Sequence, residues 1–140
     1  MAELDSLIRV RKHTVEQKQK ALAALYKKEQ DLKDKRDELE AQHAIEAEKA
    51  RNMDADFMGY FGAYSKRLHA EIEAIDRARS KLENQIRLAQ EDIREAFADL
   101  KKIEIIDERR KAEEKAALDK KESDELDQIA IEGYRRQGEE

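Results

Sequence analysis

Catalysis or metal binding by this chain would depend on histidines and carboxylates, because the chain contains no cysteine. The three histidines are His13, His43 and His69, and none has a second histidine three or four residues away, as a metal site on one helical face requires. A pair of long helices would also keep His13 and His69 near opposite ends. A catalytic carboxylate needs a cleft that shifts its pKa, and a two-helix rod has no cleft. We therefore expect no catalytic residue, no metal site, no cofactor and no enzymatic activity.

The elements that carry these residues are predicted to be long helices. From Leu68 to Ile103, alternate steps of four and three residues meet an apolar side chain everywhere except at Arg79. A repeat of this kind makes a narrow apolar stripe on a helix, and such a stripe must be covered by a second helix. The positions are Leu68, Ile72, Ile75, Arg79, Leu82, Ile86, Ala89, Ile93, Ala96, Leu100 and Ile103.

A weaker stripe with the same repeat runs from Leu4 to His43 and has apolar residues at seven of twelve positions. Its polar members include Arg11, Lys18 and Arg36. We expect these cations to extend their aliphatic stems across the seam and to meet acidic partners on the facing helix, which would help to select the pairing.

Between the two stripes, Gly59 and Gly62 lie among aromatic residues. No Gly-Lys-Ser/Thr sequence follows them, so they do not form a phosphate-binding loop. Glycine weakens a helix interior and favours chain reversal, so we place the turn in this region. The aromatic residues would either close the end of the hairpin or form a docking patch.

The predicted fold is all-α: an elongated, antiparallel two-helix coiled-coil hairpin whose second helix is longer and has a C-terminal overhang. Residues 1–140 are predicted to form a single coiled-coil domain. Its parts are helix one at about 3–50, a turn region at about 53–63, helix two at about 64–132 and a frayed tail at 133–140.

Charged residues make up 45% of the chain, the net charge is −5, and the two signs are interleaved. No basic block offers a footprint for nucleic acid. No apolar run approaches the ~20 residues that a membrane span needs, and the N-terminus has no signal-peptide pattern. We expect a cytoplasmic protein that binds neither nucleic acid nor the membrane interior.

Three segments resemble the flagellar FliJ family in residue order and spacing. They are residues 4–13 (LDSLIRVRKH), 95–104 (EAFADLKKIE) with the following Arg109-Arg-Lys, and 126–136 (LDQIAIEGYRR). The resemblance covers nearly the whole chain.

The resemblance implies a non-enzymatic component of the flagellar type III export apparatus, similar to the central stalk of rotary ATP synthases. Such a protein binds the ring of the export ATPase, promotes its assembly and activity, and acts as a chaperone or escort that links it to the export gate membrane protein. Export chaperones are further partners, and the place of action is the flagellar base at the inner membrane. The ATPase contacts are assigned to Arg9, Arg11, Lys12, Arg109, Arg110, Tyr134, Arg135 and Arg136. The export-gate contacts are assigned to Phe57, Tyr60, Phe61, Tyr64 and Arg67.

Two alternatives remain open from the sequence. One is a structural spacer or dimerisation protein that forms a parallel coiled coil without a hairpin. The other is the equivalent stalk of a virulence type III secretion system.

Overall fold

A computed structural model describes residues 2–53 and 55–139 of the chain, with side chains described for 4–53 and 55–138. It has two helices, α1 (Ala2–Arg51) and α2 (Ala55–Glu139), and no strand within those residues. The helices run antiparallel: Tyr26 accepts a hydrogen bond from Gln90 at 2.7 Å, and Arg36 meets Asp76 at 2.9 Å. Residues late in α1 therefore lie opposite residues early in α2. The predicted all-α antiparallel hairpin with a longer second helix is confirmed.

The chain divides into two compact units. The first consists of residues 13–96, and the second of residues 1–12 together with 97–140. The prediction of one domain over residues 1–140 stays a prediction. Each unit is described separately below.

In the unit of residues 13–96 the predicted stripe of α2 faces α1. Every stripe position of α2 in this unit, including Arg79, is buried or half-buried. The most buried are Leu68, Ile75, Leu82 and Ile86, each at most 7% exposed, and Val15 and Ala50 are buried on the facing helix α1. Each removes apolar surface from water, which is the main favourable term in such a seam.

The chain reverses earlier and more tightly than the glycines indicate. After α1 ends at Arg51, the Asn52 amide donates to the Lys49 carbonyl at 3.2 Å, and the Asn52 side chain donates to the Glu48 carbonyl at 3.4 Å. These bonds satisfy carbonyls that the end of a helix leaves free. Residue 54, part of the predicted turn, lies outside the described residues.

The predicted turn region of 53–63 is therefore too long, because residues from Ala55 onward are helical. Gly59 and Gly62 lie inside α2, neither has a positive φ, and a Cβ on either would meet nothing within 4 Å. The weak helix preference of two glycines costs only about 1 kcal/mol each, and the flanking helix-favouring residues outweigh that cost.

In the unit of residues 1–12 and 97–140, pairing begins with Leu100 (6% exposed) and extends one step past Ile103 to Asp107 (6% exposed). The predicted frayed tail differs from the structure, since α2 continues through Glu139. Residue 140, the last of that tail, lies outside the described residues.

Candidate partner-binding surfaces

The longest exposed surface is the part of α2 that follows the last contact with α1. All side chains from residue 112 to 138, here called the exposed segment, are exposed. It carries large apolar side chains that a soluble helix normally covers. Their exposed fractions are 55% for Leu118, 67% for Leu126, 64% for Ile129, 56% for Ile131 and 79% for Tyr134. The predicted C-terminal overhang of α2 is thus present and carries apolar residues without a covering helix in this unit.

The residues assigned to ATPase contacts are all exposed, and they fall into two groups. Arg9, Arg11 and Lys12 lie on α1 near the last pairing contacts, together with Arg109 and Arg110 of α2. The other group lies in the exposed segment and consists of Tyr134, Arg135 and Arg136. At about 1.5 Å of rise per residue, the second group lies roughly 35 Å beyond Lys111 along α2. The structure therefore places the first five near the end of the α1–α2 pairing and the last three well beyond it.

Arg11 also differs from its predicted seam role. Its side chain is exposed rather than laid across the seam, whereas Lys18 and Arg36 are half-buried there. Arg36 fulfils the prediction of an acidic partner on the facing helix, because its Nε donates to Asp76 at 2.9 Å. This hydrogen bond, and then the negative charge of Asp76, raise the pKa of Arg36 above its ordinary value.

A cluster of charged residues lies where the contact between α1 and α2 ends in the second unit. Lys111 Nζ lies 3.0 Å from Asp107 Oδ2 and 3.9 Å from Asp5 of α1. The hydrogen bond to Asp107, followed by the charges of Asp107 and Asp5, raises the pKa of Lys111. Asp107 Oδ1 is buried and has no hydrogen-bond partner among the described residues. Burying a carboxylate at a seam position lowers stability. It also fixes the register of the two helices and ends the apolar contact between them.

The aromatic patch assigned to the export gate lies at the start of α2. Phe57, Phe61 and Tyr64 are half-buried, whereas Tyr60 is 64% exposed and Arg67 is exposed. The rings of Phe57 and Tyr60 are 6.3 Å apart, and those of Phe61 and Tyr64 are 6.4 Å apart. Three rings therefore partly cover the hairpin end and Tyr60 faces solvent, while the docking role of the patch stays a prediction.

Two more exposed apolar residues, Met53 (55%) and Met58 (49%), extend this surface. Tyr64 and Arg67 also line a shallow groove of about 310 Å³ along the seam. Methionine and tyrosine side chains adapt well to partner surfaces.

The sequence reasoning missed a pair of histidines that the hairpin brings together. The rings of His43 and His69 lie 5.2 Å apart, edge to face, and Phe61 packs 5.5 Å from His43. Ser65 lies between the two rings, with its Oγ 2.9 Å from His43 Nε2 and 3.4 Å from His69 Nδ1. The two stripes contained the information needed to find this pair. The same register that sets Arg36 opposite Asp76 also sets His43 opposite this part of α2.

The part of the chain that the structure describes contains no group of three or more metal-ligating side chains that could hold an ion. Among those same residues, no helix is long and apolar enough to cross a membrane. The described residues present two exposed apolar surfaces, a helical segment in one unit and an aromatic surface in the other.

Comparison with known proteins gives one match. The family model described as flagellar FliJ protein matches residues 1–139, essentially the whole chain. No curated protein and no solved structure matches this chain.

Proposed function

We propose a function that starts from one fact, that this chain belongs to the flagellar FliJ protein family. Members of this family are non-enzymatic components of flagellar type III export, and this chain is a helical export protein of that kind. Within that apparatus, the chain binds the export ATPase ring through the exposed segment of α2 and promotes its assembly and activity.

The observation that carries this proposal is the exposure of a long helical stretch with apolar residues. Leu118, Leu126 and Ile129 are more than half exposed, although leucine and isoleucine gain about 1.5–3 kcal/mol each from full burial. A single helix with one apolar side fits a groove or a ring lumen lined by apolar residues. Arg135 and Arg136 follow the apolar residues and would meet acidic groups at the rim of that lumen.

The basic group formed by Arg9, Arg11, Lys12, Arg109 and Arg110 is assigned a second contact with the same ATPase, at the mouth of the ring. Surface cations mainly raise the rate of encounter and orient the partner. We expect charge removal here to slow association and increase its salt dependence, with a smaller effect on dissociation.

The aromatic surface at the start of α2 is proposed as the contact with the export gate or with export chaperones. Tyr60 is its most exposed aromatic residue at 64%, and Met53 and Met58 flank it. Exposed aromatic and methionine side chains commonly anchor protein interfaces. Through its two surfaces the chain would escort cargo between ATPase and gate, peripheral to the membrane at the flagellar base.

Co-purification with the export ATPase, together with its ATP hydrolysis rate, tests the proposal. Leu126→Ser with Ile129→Ser should abolish binding and the stimulation of hydrolysis, because both side chains lose their apolar contact with the ring. Leu88→Ser is the matched control, since Leu88 is 55% exposed on the same helix but within the paired region. A native chain that neither binds nor alters hydrolysis would overturn the proposal, as would full binding by the double variant.

A further inference from the structure

We propose that two copies of this chain associate through residues 109–134 of α2, side by side and antiparallel. The basic half of each copy would then face the acidic half of the other. The inference uses a surface that the proposed function gives to the ATPase, but it does not depend on that function.

The charge of this stretch changes sign halfway along it. Residues 109–121 carry six basic and three acidic residues, whereas residues 122–134 carry five acidic residues and no basic one. The net charges are therefore +3 and −5, and the change falls between Lys121 and Glu122. All of these side chains are exposed, so both charge blocks are available to a partner.

This pattern is complementary to itself only when a second copy runs in the opposite direction. An antiparallel copy places 109–121 against 122–134 twice, once on each side of a two-fold axis, as in other isologous interfaces. A parallel copy in register would set like charge against like charge and repel. A different protein would have to carry the reverse charge order to fit equally well.

An apolar face accompanies the two charge blocks. Leu118 follows the buried Leu100 by eighteen residues, which is five turns of an α-helix, so both lie on the same face. Leu126 and Ile129 lie on this face too, within about 80° of Leu118 around the helix axis. The face that packs on α1 at Leu100 thus continues past the end of α1 without cover.

The antiparallel arrangement covers this face while it pairs the charges. When residues 121 and 122 of the two copies lie opposite, Leu118 of one copy comes beside Leu126 of the other, and the two-fold axis repeats the contact. Ile129 then comes beside the aliphatic stem of Lys115, which can lie along it while its ammonium group stays in water. Three apolar residues per copy make a small interface, so the dimer is weak and dependent on protein concentration.

The first test uses the absence of cysteine to introduce one thiol at a time into the full chain. Glu122→Cys places the two thiols beside the two-fold axis and on the face that carries Leu118 and Leu126, so under oxidation it should form a disulfide-linked dimer. Ala112→Cys is the control: the two copies of residue 112 would lie roughly 30 Å apart, because each faces residue 131 of the other copy. Cross-linking at both positions would indicate a parallel pair and overturn the arrangement.

The second test exchanges the charges. A variant with Lys115, Lys120 and Lys121 all changed to Glu has two acidic halves, and one with Glu122, Asp124 and Glu125 all changed to Lys has two basic halves. Each variant alone should sediment as a monomer, and an equimolar mixture should sediment as a heterodimer. Circular dichroism of each variant confirms that α2 is still helical.

Sedimentation of the native chain completes the design. The fraction of dimer should rise with protein concentration. The association constant should fall by about tenfold between about 0.1 M and 1 M salt, because the screening length shortens from ~10 Å to ~3 Å over that range. A native chain that stays monomeric at every concentration, or charge variants that still self-associate, would overturn the inference. ATPase binding by a strictly monomeric chain would leave the proposed function intact, so the two ideas fail separately.

Discussion

Truncating one seam leucine measures how much the α1–α2 contact contributes to stability. Leu82 is 6% exposed and sits in the stripe of α2 within the unit of residues 13–96. Changing it to alanine removes three carbon groups, and at about 0.8 kcal/mol for each buried group the loss is roughly 2.4 kcal/mol. Measured leucine-to-alanine losses in thick cores reach about 5 kcal/mol because a cavity remains. Two helices can close over the gap, so we expect the value to stay at about 2 to 3 kcal/mol.

Leu88 provides the matched control, because it lies on the same helix and in the same unit but is 55% exposed. Leu88→Ala should cost less than about 1 kcal/mol, since most of the side chain is already in water and alanine favours helix slightly. Urea unfolding followed by circular dichroism at 222 nm gives both free energies of unfolding. Equal losses at the two positions would refute the assignment of Leu82 to the interface between the helices.

Three further changes have defined outcomes. Gly59→Ala and Gly62→Ala should each raise the free energy of unfolding by about 0.5 to 1 kcal/mol, because both lie inside α2 with open space around them; a loss of stability in urea unfolding would return the turn to the glycines. Arg79→Leu should raise the melting temperature, since Arg79 Nε is buried without a hydrogen-bond partner among the described residues and leucine extends the apolar stripe; a lower melting temperature would reveal a partner for the guanidinium. Lys111→Met should lower the free energy of unfolding at neutral pH, because it leaves the Asp107 carboxylate uncompensated. Folding raises the pKa of Lys111, so this loss of stability should shrink as the pH rises through that pKa. A loss that does not depend on pH would point to lost packing instead.

The stripes show what the sequence could predict. The seam of α2 was predicted position by position, because the 3.5-residue period follows directly from which side chains two helices bury against each other. The same logic identified Arg36 as a seam cation with an acidic partner, which the structure supplies as Asp76. Helix direction followed from the two stripes being separated by a region that could turn.

The misplaced turn has a local cause. The helix propensity of Gly59 and Gly62 predicts a turn, but propensity is a weak signal that the surrounding helix overrides. The actual reversal uses Asn52, whose side chain bonds to the Glu48 carbonyl. A single Asn after a charged helix gives little signal beside two glycines among aromatics.

Two features depend on the register of the two helices, which the amino-acid composition does not determine. Asp107 is buried because α1 extends far enough to cover it, although a carboxylate at that position predicts the end of the seam. His43 and His69 meet because the register of the hairpin places residues whose numbers sum to about 112 opposite each other. Counting histidines within four residues of one another could not detect a pair that lies on different helices.

Photo-crosslinking from two matched leucines tests the central claim most directly, namely that the exposed segment of α2 binds the export ATPase. A photoreactive phenylalanine analogue replaces Leu126, 67% exposed, in one variant and Leu88, 55% exposed, in the other. Irradiation in the presence of the ATPase should produce a covalent adduct from position 126 and little from position 88. An adduct from position 88 without one from position 126 would contradict the claim.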